Sequence, residues 1–250
     1  MAASLSLLSP ATGPGDLSQV WRAAELGRID GTAVPTGHAA LDAQLPGGGW
    51  PVGAMIEVLQ EQAGAHEWHL LLPALVRLAG AHSGPMVLVG APYVPFGPAL
   101  AARGLPGERL LWVDAGAPAA RLWACEQALR CADAAAVLAW LPQARANALR
   151  RLHMAAQDGG KLFFVFRHAA AQHESCAASL RLLLGGLEAM TVDIFKRRGP
   201  PLPAPLLLPA RAPRLEALLA ASHSRRSPIP TAMVLSFRSN HALDRVAAAA

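Results

Sequence analysis

Five short apolar runs, separated by helix-patterned stretches, constrain this chain more than any other feature. They are Met55–Leu59, Met86–Val89, Arg109–Val113, Ala135–Trp140 and Leu162–Phe166. Near-continuous apolar runs of this length suit strands covered on both faces. Between the first two, His66–Ala79 places Trp68, Leu71, Leu72, Leu75 and Ala79 at helical spacing, as a helix with one buried face requires. Pro95–Arg103 reads as a short helix. Pro118 opens another that reaches Cys131, and proline is favoured in a helix's first turn. Gln143–Gln157 reads as a helix closed by Gly159-Gly160. Strict alternation of strand and helix predicts an α/β fold, a doubly wound and mainly parallel sheet flanked by helices.

The pattern changes towards both ends. Ser179–Leu184 fits a short helix or a strand, and Met190–Lys196 alternates as an antiparallel edge strand would. Pro200, Pro201, Pro203, Pro205 and Pro209 then predict a stiff, irregular segment. Residues 213–221 suit a small helix, and Ala232–Phe237 is strand-like. At the other end, residues 1–15 have the composition of a disordered terminus. Asp16 can cap a helix running to Leu26, with Val20, Trp21 and Ala24 on one face, a brace against the core. The expected organisation is a disordered 1–15, a core with its brace over 16–200, and a Pro-rich, basic segment over 201–250.

Composition narrows the function. Hydrophobic residues make up 53% of the 250, enough for one substantial core. No uninterrupted apolar run reaches the ~18 residues of a membrane span, and no basic-then-apolar leader opens the sequence. A cytoplasmic protein without membrane contact is expected. Cys125, Cys131 and Cys176 form no Cys-x-x-Cys pair and read as reduced thiols. The net charge of +5 is uneven: from Phe195 onward there are nine basic and two acidic residues. A basic final quarter suits an anionic partner, or a tail kept soluble by charge.

The stretch after the first apolar run resembles a phosphate loop without its chemistry. Gly47-Gly48-Gly49 and Gly53 lead into Met55–Leu59, and Gln60-Glu61-Gln62-Ala63-Gly64-Ala65-His66-Glu67 follows. A phosphate loop needs backbone amides at a helix start, a lysine for the β/γ-phosphates and a hydroxyl for magnesium. Here His66 and Glu67 stand about where the lysine and hydroxyl belong. Gly64 helps the turn, and Glu67 would repel a triphosphate. The run Ala136–Trp140 ends in Trp140 where a metal-orienting acid is required, and the turn Gly90-Ala91-Pro92-Tyr93 offers no water-activating carboxylate. No enzyme activity and no cofactor are expected. Gln60, Gly64, His66 and Glu67 are the remains of the loop.

Thr36-Gly37, Leu41-Asp42, Leu45, the three glycines, Pro51, Gly53 and Glu57 resemble the approach to the nucleotide loop in RecA. A closer resemblance is to ImuA, a RecA-like family of bacterial damage-inducible mutagenesis cassettes. It rests on Leu45–Pro51, Leu70–Leu75, Trp123–Arg130, Ala136–Leu141, Leu149–Leu152 and Lys196–Gly199, in consistent order. The resemblance implies a RecA-like core and a role in translesion DNA synthesis. Its implied partners are an ImuB-like homologue of Y-family polymerases, RecA, and an error-prone replicative-type polymerase. A weak DNA-dependent ATPase and a division-inhibitor-like protein with a reduced RecA-like core are the alternatives.

Contacts with partners or DNA fall to the ends and the arginines. Val20 and Trp21 mark the brace. Arg145, Arg150 and Arg151 share one helix, as a solvated face or as donors to phosphates or carboxylates. Lys196, Arg197 and Arg198 close a strand, and Arg225, Arg226 and Arg238 lie in the tail. Aromatics for stacking bases are few nearby, only Phe195 and Phe237. His66 and His69 lie at i, i+3 but lack the His-Glu-x-x-His spacing of a zinc helix.

Overall fold

The computed structural model describes residues 33–186, 189–200, 202–209 and 221. Residues 1–15, the brace with Val20 and Trp21, the helix expected to end at Ala221, Ala232–Phe237, and Arg225, Arg226 and Arg238 lie outside them, Ala221 excepted.

In chain order, β1 (Ala33–Val34) pairs antiparallel with β2 (Trp50–Pro51), and the turn of helix α1 (Ala39–Asp42) lies between them. The main sheet begins with β3 (Ala54–Gln60), followed by α2 (Glu67–Ala81), β4 (Met86–Val89), α3 (Gly97–Ala101) and β5 (Leu110–Val113). Next come α4 (Pro118–Arg130), β6 (Ala136–Trp140), α5 (Ala146–Gly159) and β7 (Leu162–His168). Strands β8 (Leu180–Gly185), β9 (Met190–Lys196) and β10 (Leu206–Leu208) complete it. Across the sheet the order is β10-β9-β8-β3-β7-β6-β4-β5. The pairings from β8 to β5 are parallel, and β9 and β10 are added antiparallel. This is an α/β fold with a large, mostly parallel mixed sheet, compatible with Rossmann-like and RecA-like architectures.

Strand alternation sorts the core into two layers. Ile56 and Val58 of β3 pack with Leu70, Leu71, Leu75 and Leu78 of α2. Met55 points the other way, among Cys125 and Leu129 of α4 and Leu149 and Leu152 of α5. Strands β4 and β6 are buried at every position, which is why they carry no alternation.

One open alternative is settled and one expectation is corrected. Ser179–Leu184 resolves as a strand, β8, parallel to β3. Met190–Lys196 is antiparallel but not at the edge, because Leu206–Leu208 pairs outside it. A strand therefore lies inside the Pro-rich stretch, flanked by Pro205 and Pro209. An outermost strand tolerates such neighbours, since one side of its backbone needs no partner.

Thr36-Gly37 and Pro73 are bound by one packing constraint. Gly37 sits at φ +86°, and a Cβ there would lie 2.3 Å from Pro73 Cβ on α2. Pro73 denies a donor to the turn before it, and the His38 ring supplies one nearby, with Nε2 3.2 Å from the Leu70 carbonyl. Burial holds the pKa of His38 below its ordinary value, consistent with a neutral ring.

Candidate functional site

The connection from β3 to α2 is closed by its own side chain. Gly64 adopts φ +88°, and Glu67 is the first residue of α2. Its side chain turns back into the loop and is only 2% exposed. Oε1 accepts from Gln60 Nε2 at 2.6 Å and from the Gly64 amide at 2.7 Å, with Trp140 Nε1 at 3.4 Å. A helix start concentrates unpaired N–H groups and partial positive charge, which favours an anion. Glu67 supplies that anion internally. Sequence reasoning gave Glu67 only a repulsive role; its place as the loop's own acceptor emerges from the geometry. Its Oε2 is buried with no partner among the described residues.

The histidines are engaged elsewhere. His66 Nε2 lies 2.7 Å from the Gly186 carbonyl, and His69 Nε2 is 2.7 Å from that of Pro209. Each nitrogen must carry a proton to donate to a carbonyl. Among the described residues no cluster of His, Cys, Asp and Glu is arranged to hold a metal.

Trp140 stacks on Phe166 of β7, with centroids 4.5 Å apart and a 20° interplanar angle. In the turn after β4, Gly90 is left-handed at φ +63° and Tyr93 stands 64% exposed. The Tyr93 ring lies against Gly64, where a Cβ would come within 3.0 Å of it. Between these elements a cleft of about 500 Å³ opens at the carboxyl ends of β3 to β7, where open α/β sheets place ligands. Gln60, Trp112, Arg121, Trp140, Phe166 and Arg167 line it, with Glu61, Asp114 and His168 also present.

Beneath it lies a charged cluster. Glu57 of β3 is fully buried between Arg167 of β7 and Arg181 of β8. Arg167 Nη1 donates to Glu57 Oε1 at 3.0 Å and Nη2 to Glu174 at 2.6 Å. Arg181 Nε donates to Glu57 Oε2. Its Nη atoms reach the Gln172 and Ala171 carbonyls at 3.1 and 2.9 Å, and its guanidinium lies 4.8 Å from the Phe195 ring centroid. Burial opposes the charge on Arg167, but the bonds to Glu174 and Glu57 outweigh it and raise its pKa. The cluster ties the β7–β8 connection, with its short 3-10 turn Ala169–His173, to the central strand.

The basic candidates scatter. Arg145 precedes the first turn of α5, and it, Arg150 and Arg151 are exposed. Arg151 pairs with Glu126 of α4 at 2.7 Å. Lys196 donates to the Cys176 carbonyl at 2.9 Å, and Arg197 to the carbonyls of Pro200, at 2.8 Å, and Gln44. Arg198 stays exposed. Lys196, Arg197 and Arg198 thus form no common free patch.

Sequence reasoning missed Arg121, Arg167 and Arg181. A signal existed for the latter pair: Glu57, a charge inside an otherwise apolar run, demands a buried partner. For Arg121 the only signal is Gly90, whose missing Cβ makes room for it.

The chain is thus an α/β protein whose β3–α2 loop is closed by its own carboxylate, that of Glu67. No protein-family model matches the chain. Over 90 residues it is 36% identical to the cell division inhibitor SulA of Edwardsiella piscicida, a stretch covering 36% of this chain and 54% of that protein. The chain thus spans about half the length of the curated relative it matches. Among the described residues no helix is long and apolar enough to cross a membrane.

Proposed function

We propose that this chain is a non-catalytic RecA-like protein of the DNA-damage (SOS) response, acting in translesion synthesis through contacts with other proteins. The observation that carries the non-catalytic part is Glu67, whose carboxylate accepts from the Gly64 amide and Gln60 Nε2 and places negative charge at the helix start. No lysine or hydroxyl stands beside it in the loop, and Trp140 ends the strand where a metal-orienting acid is needed. The translesion part rests on the resemblance to ImuA. In this reading the partners are an ImuB-like adaptor, RecA and an error-prone polymerase, and the protein works in the cytoplasm, with DNA contact through its basic end. A RecA-like surface without an ATP switch would join such an assembly without cycling. The test is capture of RecA and the adaptor by the full-length chain and by a 1–221 truncation. Capture of both by the full-length chain is expected; capture of neither would remove the translesion reading. Undiminished capture by the truncation would remove the basic tail from the interface.

The match to SulA favours a second reading, a cell division inhibitor with a reduced RecA-like core. It requires filamentation on overexpression in the native host. Normal division at high protein level would count against it.

A further inference from the structure

We propose that the cleft at the carboxyl ends of the sheet binds a small monocarboxylate with an aromatic or branched apolar body, seated by Arg121. This inference does not depend on the SOS reading.

Arg121 reaches the cleft from α4 across Gly90. A Cβ on Gly90 would lie 2.9 Å from Arg121 Cδ and 3.0 Å from Nε, so the left-handed glycine leaves the room the side chain uses. Arg121 Nε donates to the Ala115 carbonyl at 2.6 Å, which fixes the orientation of the guanidinium. Its two Nη atoms have no hydrogen bond or ion pair among the described residues. It also lines an adjoining pocket of about 220 Å³ bounded by Leu122, Leu141 and Pro142. A held guanidinium with both terminal nitrogens unspent suits bidentate recognition of a carboxylate.

The rest of the lining sets the ligand's other features. Trp112, Trp140 and Phe166 supply an apolar, aromatic wall. Gln60 is 6% exposed and spends Nε2 on Glu67, while Oε1 has no partner. Arg167, 5% exposed, leaves Nε likewise unpartnered. Both atoms are closed to solvent, so polar recognition within the cleft falls to Arg121. The charge balance limits the ligand to a single anion. Arg167 is neutralised by Glu57 and Glu174, and His168 stands 3.5 Å from Glu61. Asp114 is exposed on the rim, so a polyphosphate meets two carboxylates, Glu61 and Asp114, for one free guanidinium. A volume of about 500 Å³ suits a small molecule rather than a polymer.

The test is calorimetric titration of the full-length protein with N-acetylphenylalanine, N-acetyltryptophan and N-acetylleucine. Their neutral amides and ATP serve as controls. At least one acid is expected to saturate the protein, with its amide about ten-fold weaker or more and ATP not binding. Arg121→Gln should bring that acid down to the level of its amide. Gly90→Ala should do the same while keeping the arginine. Thermal melts of both variants verify folding, and a variant that unfolds is replaced by Arg121→Lys, which keeps the charge but loses the fork. Equal affinity for acid and amide, unchanged acid binding in a folded Arg121 variant, tighter binding of ATP than of any acid, or no binding of any acid at about 10 mM would each overturn the proposal.

Discussion

Removing Glu57 should destabilise this protein more than removing any of its surface charges, and the structure shows where the cost falls. In Glu57→Ala, Arg167 keeps Glu174 at 2.6 Å, a partner that is 57% exposed. Arg181, with a side chain 7% exposed, keeps only two carbonyls and the face of Phe195. A buried charge left without its counter-ion costs about 3–5 kcal/mol. At about 2–4 °C per kcal/mol for a domain of this size, the midpoint of thermal unfolding should fall by roughly 6–20 °C. The double variant Glu57→Leu/Arg181→Met removes both charges and fills the space with apolar atoms. It should recover at least half of that loss, because apolar replacement of a buried pair is often close to neutral. Urea titration of wild type, Glu57→Leu, Arg181→Met and the double variant gives the coupling energy directly. A loss below about 1 kcal/mol for Glu57→Ala, or a double variant no better than the single, would refute a buried, mutually dependent cluster.

Other outcomes follow from the same geometry. Glu67→Ala strips the acceptor from Gln60 Nε2 and Gly64 N, so it should cost about 2 kcal/mol and speed amide exchange at Gly64, read by exchange mass spectrometry. Burial lowers the pKa of His38, His69 and His153, the last also through Lys196, so unfolding takes up protons as the solution is acidified. Their stabilisation is complete above about pH 6.5 and is lost as pH falls from there through the lowered folded-state values. The melting temperature should therefore drop between about pH 7.5 and pH 5.5. His153→Asn, which keeps an acceptor for the Met55 amide now bonded to Nδ1 at 3.2 Å, should flatten that slope. Burial pushes the Cys125 thiol up to about 12, while Cys131 is exposed. Iodoacetamide should therefore label Cys131 in the folded protein and Cys125 only after denaturation, which peptide mass mapping resolves. Gly37→Ala sets a Cβ against Pro73 and adds left-handed strain, so it should cost about 2 kcal/mol or more in urea titration.

The sheet was legible because its central strands are short apolar runs between amphipathic helices. Met86–Val89 matches β4 at both ends, and the helix starting at Pro118 begins where proline favours it. Legibility failed where a few residues fit two patterns. Leu180–Leu184 reads equally as helix or strand until Arg181 is seen to pair with Glu57 across the β3–β8 register. Leu206–Leu208 was hidden by its prolines, which mark irregular chain locally and yet suit an outermost strand. At the site, the sequence placed Gly64 in the turn and Glu67 at the start of the helix. It could not say that Glu67 folds inward, because that depends on Gly64 and Trp140 converging from different segments. Arg121 was invisible for the same reason: its position is set by Gly90, on another element. The brace residues Val20 and Trp21 and the tail arginines lie outside the described residues.

Glu67 holds the Gly64 amide and sets a buried carboxylate at the start of α2, which on the proposed reading excludes a nucleotide's phosphates. Phosphate release from magnesium-ATP by the full-length protein, with and without single-stranded DNA, tests this exclusion most directly. Release indistinguishable from the protein-free blank is expected under both conditions. DNA-stimulated release that persists through purification and disappears in Gly64→Asp would contradict it.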